Sequence, residues 1–148
     1  APYLLERAQM YMNNDQARNA MLDYDAYYKA VNGQVNDLFY YYREQAALKA
    51  RQYQRALDDI VKAIELSPKD LTYRAEHAVV NLRVGRYEES MKILNEILKD
   101  EPKYGEAYRL LGLCQIQLKK TDEACGNFNK AKELGDPNVD ELIKKYCK

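Results

Sequence analysis

The stretch from Tyr53 to Pro68, YQRALDDIVKAIELSP, carries in order an aromatic residue, an Ala, an apolar residue, a second Ala and a Pro, at Tyr53, Ala56, Ile60, Ala63 and Pro68. The same places are occupied again 34 residues on, and once more after that. Ala56, Ser90 and Ala124 form one such column, and Tyr53, Tyr87 and Thr121 another. Ile60, Leu94 and Phe128 agree, as do Ala63, Ile97 and Ala131, and Pro68, Pro102 and Asp136. Tyr40, Arg74 and Tyr108, with Glu44, Ala78 and Gly112, complete seven columns. Seven columns do not align by chance, so the chain is built from an internal repeat.

A 34-residue period with these occupants resembles the tetratricopeptide repeat. In unit 105–138, Tyr108, Leu111, Gly112, Ala124, Phe128 and Ala131 fill the family's positions. The resemblance implies an all-α fold: two antiparallel helices per unit, stacked as a right-handed α-α superhelix, or solenoid. Small residues then stand where helix backbones approach closest, and bulky ones fill the holes beside them.

The first unit departs furthest. Ala8, Tyr11, Ala20, Tyr24 and Tyr27 take the family's offsets if it begins at residue 1, but Ala20 to Ala56 is then two residues too long. The excess fits the loop 31–36, VNGQVN, whose Gly and Asn tolerate turns. The expected organisation is therefore one domain over 1–148, with repeats 1–36, 37–70, 71–104 and 105–138 and a capping helix at 139–148. Glu44 stands where a small residue is preferred, as do Met10 or Ala8, and Arg51 and Lys119 replace the usual Gly between helices. At the end, Gly135 is expected to close one helix in a left-handed conformation, Asp136 to cap the next and Pro137 to start it. Leu142, Ile143 and Tyr146 would then share a face that covers the last repeat. The ending KAKELGDP followed by LIKKYC resembles the closing segment of tetratricopeptide domains in bacterial cell-envelope proteins. That likeness implies an envelope or periplasmic location and a chain that ends here; the residues themselves leave the cytoplasm open.

The composition narrows the partners. Lys and Arg number 23 and Asp and Glu 23; each half of the chain is balanced, so no basic region exists to neutralise phosphates and nucleic acid is an unsuitable partner. Apolar runs are a few residues long, too short for membrane insertion. The first residues, APYLLER, lack the basic and apolar regions of a signal peptide.

Little in the sequence points to catalysis, a cofactor or a metal. His77 is the only His and is expected to pack between helices. Asp58-Asp59, Glu88-Glu89 and Asp122-Glu123 point to different helix faces and are read as solvated or first-turn charges. Cys114 and Cys125 are read as two buried thiols in preference to a disulfide with each other, and Cys147 receives no role.

The resemblance also implies a concave groove lined by the first helix of each unit. Carried over by position, unit one contributes Leu5, Gln9, Met12 and Asn13, and unit two Leu38, Tyr41, Tyr42, Gln45, Leu48 and Lys49. Unit three adds Glu76, Val79, Leu82 and Arg83; unit four adds Arg109, Leu110, Leu113, Ile116 and Gln117. Chaperone-binding members of the family clamp a C-terminal carboxylate with Lys, Asn and Arg. Here those places hold Leu5, Gln9, Tyr42, Thr72 and Glu76, which argues against a carboxylate clamp. The expected function is a non-enzymatic scaffold that binds an extended or helical protein segment with apolar side chains, with Tyr41, Tyr42 and Arg109 as leading contacts. The alternative is a structural domain that self-assembles as a homodimer, a part of a larger envelope protein.

Overall fold

A computed structural model describes all residues, 1–148. It contains nine α-helices and no strand: α1 (Pro2–Asn13), α2 (Ala17–Ala30), α3 (Asp37–Lys49), α4 (Tyr53–Leu66), α5 (Leu71–Arg83), α6 (Tyr87–Asp100), α7 (Gly105–Gln117), α8 (Thr121–Glu133) and α9 (Asp140–Tyr146). The all-α helical-repeat fold expected from the sequence is the one observed. The helices divide into two compact units, Ala1–Tyr73 and Arg74–Lys148, with the boundary inside α5.

The helix pairs form for the reason the columns suggest. In α4, Ala56, Ile60 and Ala63 lie on one stripe and are fully buried, and a side chain such as Ile60 contributes on the order of 2 kcal/mol by leaving water. In α8 the equivalent stripe is Ala124, Phe128 and Ala131, also fully buried. Gly112 on α7 faces Phe128 so closely that an added Cβ would lie 2.3 Å from the ring. Ser90 takes the small position in α6 and donates its buried hydroxyl to the carbonyl of Ala78 at 2.7 Å, which satisfies a polar group that would otherwise be costly to bury.

Every turn between the paired helices uses a left-handed residue at the fifteenth position of its repeat: Asp15 (φ 57°), Arg51 (φ 61°), Gly85 (φ 87°) and Lys119 (φ 61°). The next residue's N–H reaches back five residues, at 2.8 Å in all four turns: Gln16 to Tyr11, Gln52 to Ala47, Arg86 to Asn81 and Lys120 to Gln115. This is a Schellman closure. Arg51 and Lys119 therefore adopt the geometry of the Gly they replace.

Two charged residues depart from the sequence reading. Asp59 is not a solvated surface charge: it is 4% exposed and is held by Arg43. The reason is its place on α4, on the side turned to α3, whereas its neighbour Asp58 is exposed. Asp136 does not cap the last helix. Its carboxylate accepts from Asn138 N–H at 2.8 Å and from Arg109 Nε at 3.1 Å, so it shapes a turn, and α9 begins at Asp140. Gly135 does take the left-handed conformation, with φ 85°.

The cysteines need a further correction. Cys125 and Cys147 form a disulfide, with Cα atoms 5.7 Å apart; Cys114 alone is a free, buried thiol. Spacing could not show this pairing, because it depends on α9 folding back on α8. Leu142, Ile143 and Tyr146 pack there against a cluster of Ala124, Phe128, Ala131 and Val139.

Candidate peptide-binding groove

The unit Ala1–Tyr73 holds a cavity of about 660 Å³ between α1, α3 and the loop joining α2 to α3. Of the groove positions expected from the sequence, Leu5, Gln9, Leu38 and Tyr42 line it. Sequence reasoning missed the rest of the wall. Tyr24, Tyr27 and Phe39 form its floor, where the two Tyr read as repeat packing only. Gln34, Val35 and Asn36 form its rim; they come from the loop that absorbs the two-residue excess of the first repeat. That excess was the available signal.

Local structure sets this wall. Asn36 caps α3, its Oδ1 accepting from Phe39 N–H at 3.0 Å, a bond that satisfies one of the open donors of the first turn. Phe39 is thereby placed under three Tyr rings of α2. Tyr24 meets it edge-on at 5.8 Å, and Tyr27 and Tyr28 lie over it at 5.8 and 6.0 Å. Above this floor Tyr42 and Leu38 remain 43% and 46% exposed. No Lys, Arg, Asp or Glu lines the cavity. Burial raises the Tyr24 hydroxyl above its ordinary pKa, which keeps that hydroxyl protonated.

The remaining groove residues of this unit stand outside the cavity. Tyr41 is half-buried, with its ring 5.7 Å from Tyr42 and 5.2 Å from Tyr73. Tyr73 in turn donates its hydroxyl to Asp37 at 2.6 Å, and that bond holds the Asp37 carboxyl below its ordinary range. Gln45 is half-buried and Lys49 exposed, the latter 3.9 Å from Asp15. Met12 and Asn13 are half-buried and exposed, and Leu48 is buried.

In the unit Arg74–Lys148, several expected groove residues serve the interior. The side chain of Arg109 is 16% exposed and pairs with Asp136, itself 3% exposed. Leu113 and Ile116 pack on the cluster beneath α9, and Leu110 is buried. Arg83 and Gln117 are exposed, while Glu76, Val79 and Leu82 are half-buried. Burial lowers the pKa of His77, consistent with a packed residue. No group of three or more His, Cys, Asp or Glu is placed to hold a metal, and no helix is long and apolar enough to cross a membrane.

With the helix pairs and groove in place, comparison defines the class. Residues 13–97 match the family described as anaphase-promoting complex, cyclosome, subunit 3, and residues 76–139 match the tetratricopeptide repeat. The chain belongs to the tetratricopeptide repeat family, whose domains generally mediate protein-protein interaction and are generally non-enzymatic scaffolds. It is 30% identical over 99 residues to small glutamine-rich tetratricopeptide repeat-containing protein 2 of Mycosarcoma maydis; the match covers 67% of this chain and 28% of that protein. The chain thus spans about a quarter of that relative's length. Among solved structures, YrrB, described as a tetratricopeptide repeat protein with an unusual peptide-binding site, superposes with a TM-score of 0.74 at 18% identity, over 93% of this chain and 71% of that one. The first tetratricopeptide domain of Spaghetti (RPAP3) bound to the HSP90 peptide SRMEEVD superposes with a TM-score of 0.64 at 19% identity, over 75% and 90%. These likenesses show the fold.

Proposed function

We propose that this protein is a scaffold that binds a partner segment through the cavity between α1 and α3, and that the segment inserts an uncharged, apolar or aromatic side chain there. The observation that carries this reading is the absence of charge from the wall combined with the exposure of Tyr42 and Leu38 above an aromatic floor. An apolar side chain entering such a space gains burial without stranding an ion. Gln9, Gln34 and Asn36 supply amide donors and acceptors around it, suited to the backbone of an extended or helical segment.

The same wall disfavours an acidic chain end. Leu5, Gln9 and Tyr42, which stand at places where clamp-bearing relatives would carry Lys, Asn or Arg, all line the cavity. A carboxylate there would be desolvated with no opposite charge.

The test is affinity capture with the wild-type chain and with a Leu38→Ala, Tyr42→Ala variant, both residues being exposed enough to change without loss of fold. The variant should lose the captured partner while its helicity and melting temperature stay within a few degrees of wild type. Capture of the same partner at the same yield by the folded variant overturns the proposal.

A further inference from the structure

The polar groups around the cavity differ in what they still offer a ligand. Asn36 engages its Oδ1 with the Phe39 N–H, at 3.0 Å, and its amide nitrogen donates to no group of the protein. Gln34, beside it on the rim, makes no side-chain hydrogen bond either. Gln9 gives one amide hydrogen to Asn13, at 3.2 Å, and keeps the other. A side-chain amide nitrogen carries two donors, so the rim and the α1 wall both hold open donors. Strong acceptors are scarce by comparison, for no carboxylate lines the wall.

Rings supply most of the remaining wall. Tyr24 and Phe39 make a buried floor, and beside it stand Tyr27, half-buried, and Tyr42, exposed. A ligand suited to this space has flat apolar groups, free backbone acceptors and few N–H groups. A helix leaves the donors unused, because its carbonyls are bound within itself, and a strand brings an N–H at every ordinary residue. Proline meets all three needs. Its ring is apolar, it carries a carbonyl and no N–H, and runs of it form the polyproline II helix, which has no internal hydrogen bonds. That conformation exists before binding, so little ordering entropy is lost on docking.

We propose that the occupant of the cavity is a proline-rich segment in the polyproline II conformation, an inference that rests on the cavity being the binding site. Its rings lie against Tyr27 and Tyr42 above the floor of Tyr24 and Phe39, and its carbonyls accept from the amides of Gln34 and Asn36. No ion takes part in these contacts, so the affinity is nearly independent of salt.

The probe is a fluorescent oligoproline of about ten residues, capped at both ends, which holds the polyproline II helix. Titrated with the whole chain and read by anisotropy, it should bind saturably and about tenfold or more tighter than a capped peptide of equal length built from Leu and Gln. Tyr42→Ala in the protein should weaken it about tenfold at unchanged helicity. Asn36→Asp keeps a capping oxygen for α3 but removes the two amide donors, and should weaken it severalfold; it gives the reading alone if Tyr42→Ala loses helicity. The proposal is overturned by an absence of saturable oligoproline binding at millimolar protein, by equal binding to the folded variants, or by a preference for the Leu and Gln peptide. If oligoproline fails while the Leu38→Ala, Tyr42→Ala variant still loses its captured partner, the cavity remains the binding site and the proline inference falls alone. If capture is unchanged as well, both readings fall.

Discussion

Arg43 on α3 and Asp59 on α4 form a two-point ion pair, at 2.8 and 2.9 Å, with 12% and 6% of their side chains exposed. It occupies the seventh and twenty-third positions of the second repeat, and Arg7 and Asp23 occupy the same positions in the first. Removing Asp59 leaves the largely buried Arg43 with only its longer, 3.3 Å bond to Asp25, so the loss falls below the about 3 to 5 kcal/mol of a buried charge left wholly unpaired. Asp59→Ala should therefore lower the unfolding free energy by roughly 2 to 3 kcal/mol. Asp23→Ala should cost less, because Arg7 can turn into water. Urea denaturation of the two variants side by side checks the order; equal losses would contradict it.

The left-handed turns give the opposite sign. A non-Gly residue in that conformation is strained by about 1 kcal/mol relative to Gly. Arg51→Gly and Lys119→Gly should each raise stability by about 0.5 to 1 kcal/mol, less the entropy Gly loses on folding. Gly85→Ala should lower it by a similar amount. Thermal melts of the three variants read these shifts directly.

Close approach of backbone to ring makes Gly112 irreplaceable. A methyl group there would stand 2.3 Å from Phe128, and overpacking of this kind costs about 1 to 3 kcal/mol. Gly112→Ala combined with Phe128→Leu should recover part of the loss, and a double-mutant cycle that is strictly additive would show that the two do not collide.

The disulfide between Cys125 and Cys147 closes a loop of 22 residues around α9, which has only 7 residues. Chain-entropy arguments put its contribution at about 3 kcal/mol. Reduction by a dithiol should lower the melting temperature and bring α9 amides to rapid hydrogen exchange while α1 to α4 keep their protection. Unchanged exchange in α9 after reduction would show that apolar packing alone holds the cap.

The Tyr73 to Asp37 bond should give stability a pH window. The bond depresses the Asp37 pKa below 3.8, so its contribution is present above about that pH and is lost as pH falls through the depressed value. Burial, and then the bond to Asp37, raises the Tyr73 pKa above 10.0, so the contribution from its protonated hydroxyl is lost as pH rises past 10. Tyr73→Phe should cost about 1 to 2 kcal/mol at neutral pH and progressively less below pH 4 and above pH 10. Urea midpoints of both proteins at pH 3, 7 and 10.5 test it.

The sequence determined the helix pairs and the face each one buries. Ala56, Ile60 and Ala63, repeated as Ala124, Phe128 and Ala131, leave one way for each pair to hide its stripe, and periodicity along the chain records that directly. The turns were legible as well, since the fifteenth position returns in every repeat even where Arg51 and Lys119 replace Gly. Four of the positions that the family resemblance implied for a groove, Leu5, Gln9, Leu38 and Tyr42, line a cavity. Tertiary structure alone decided which groove residues look outward and which are held inside. Tyr41 lies against Tyr73, and Arg109 is held by Asp136, because those partners lie 32 and 27 residues away. It also turned Asp59 from a presumed surface charge into half of a buried pair and joined Cys125 to Cys147. A repeat pattern constrains what recurs along the chain; which groups meet in the disulfide, in the cavity and in pairs such as Arg109 with Asp136 depends on distance through space, not on spacing along the chain, and that distance sets the energy.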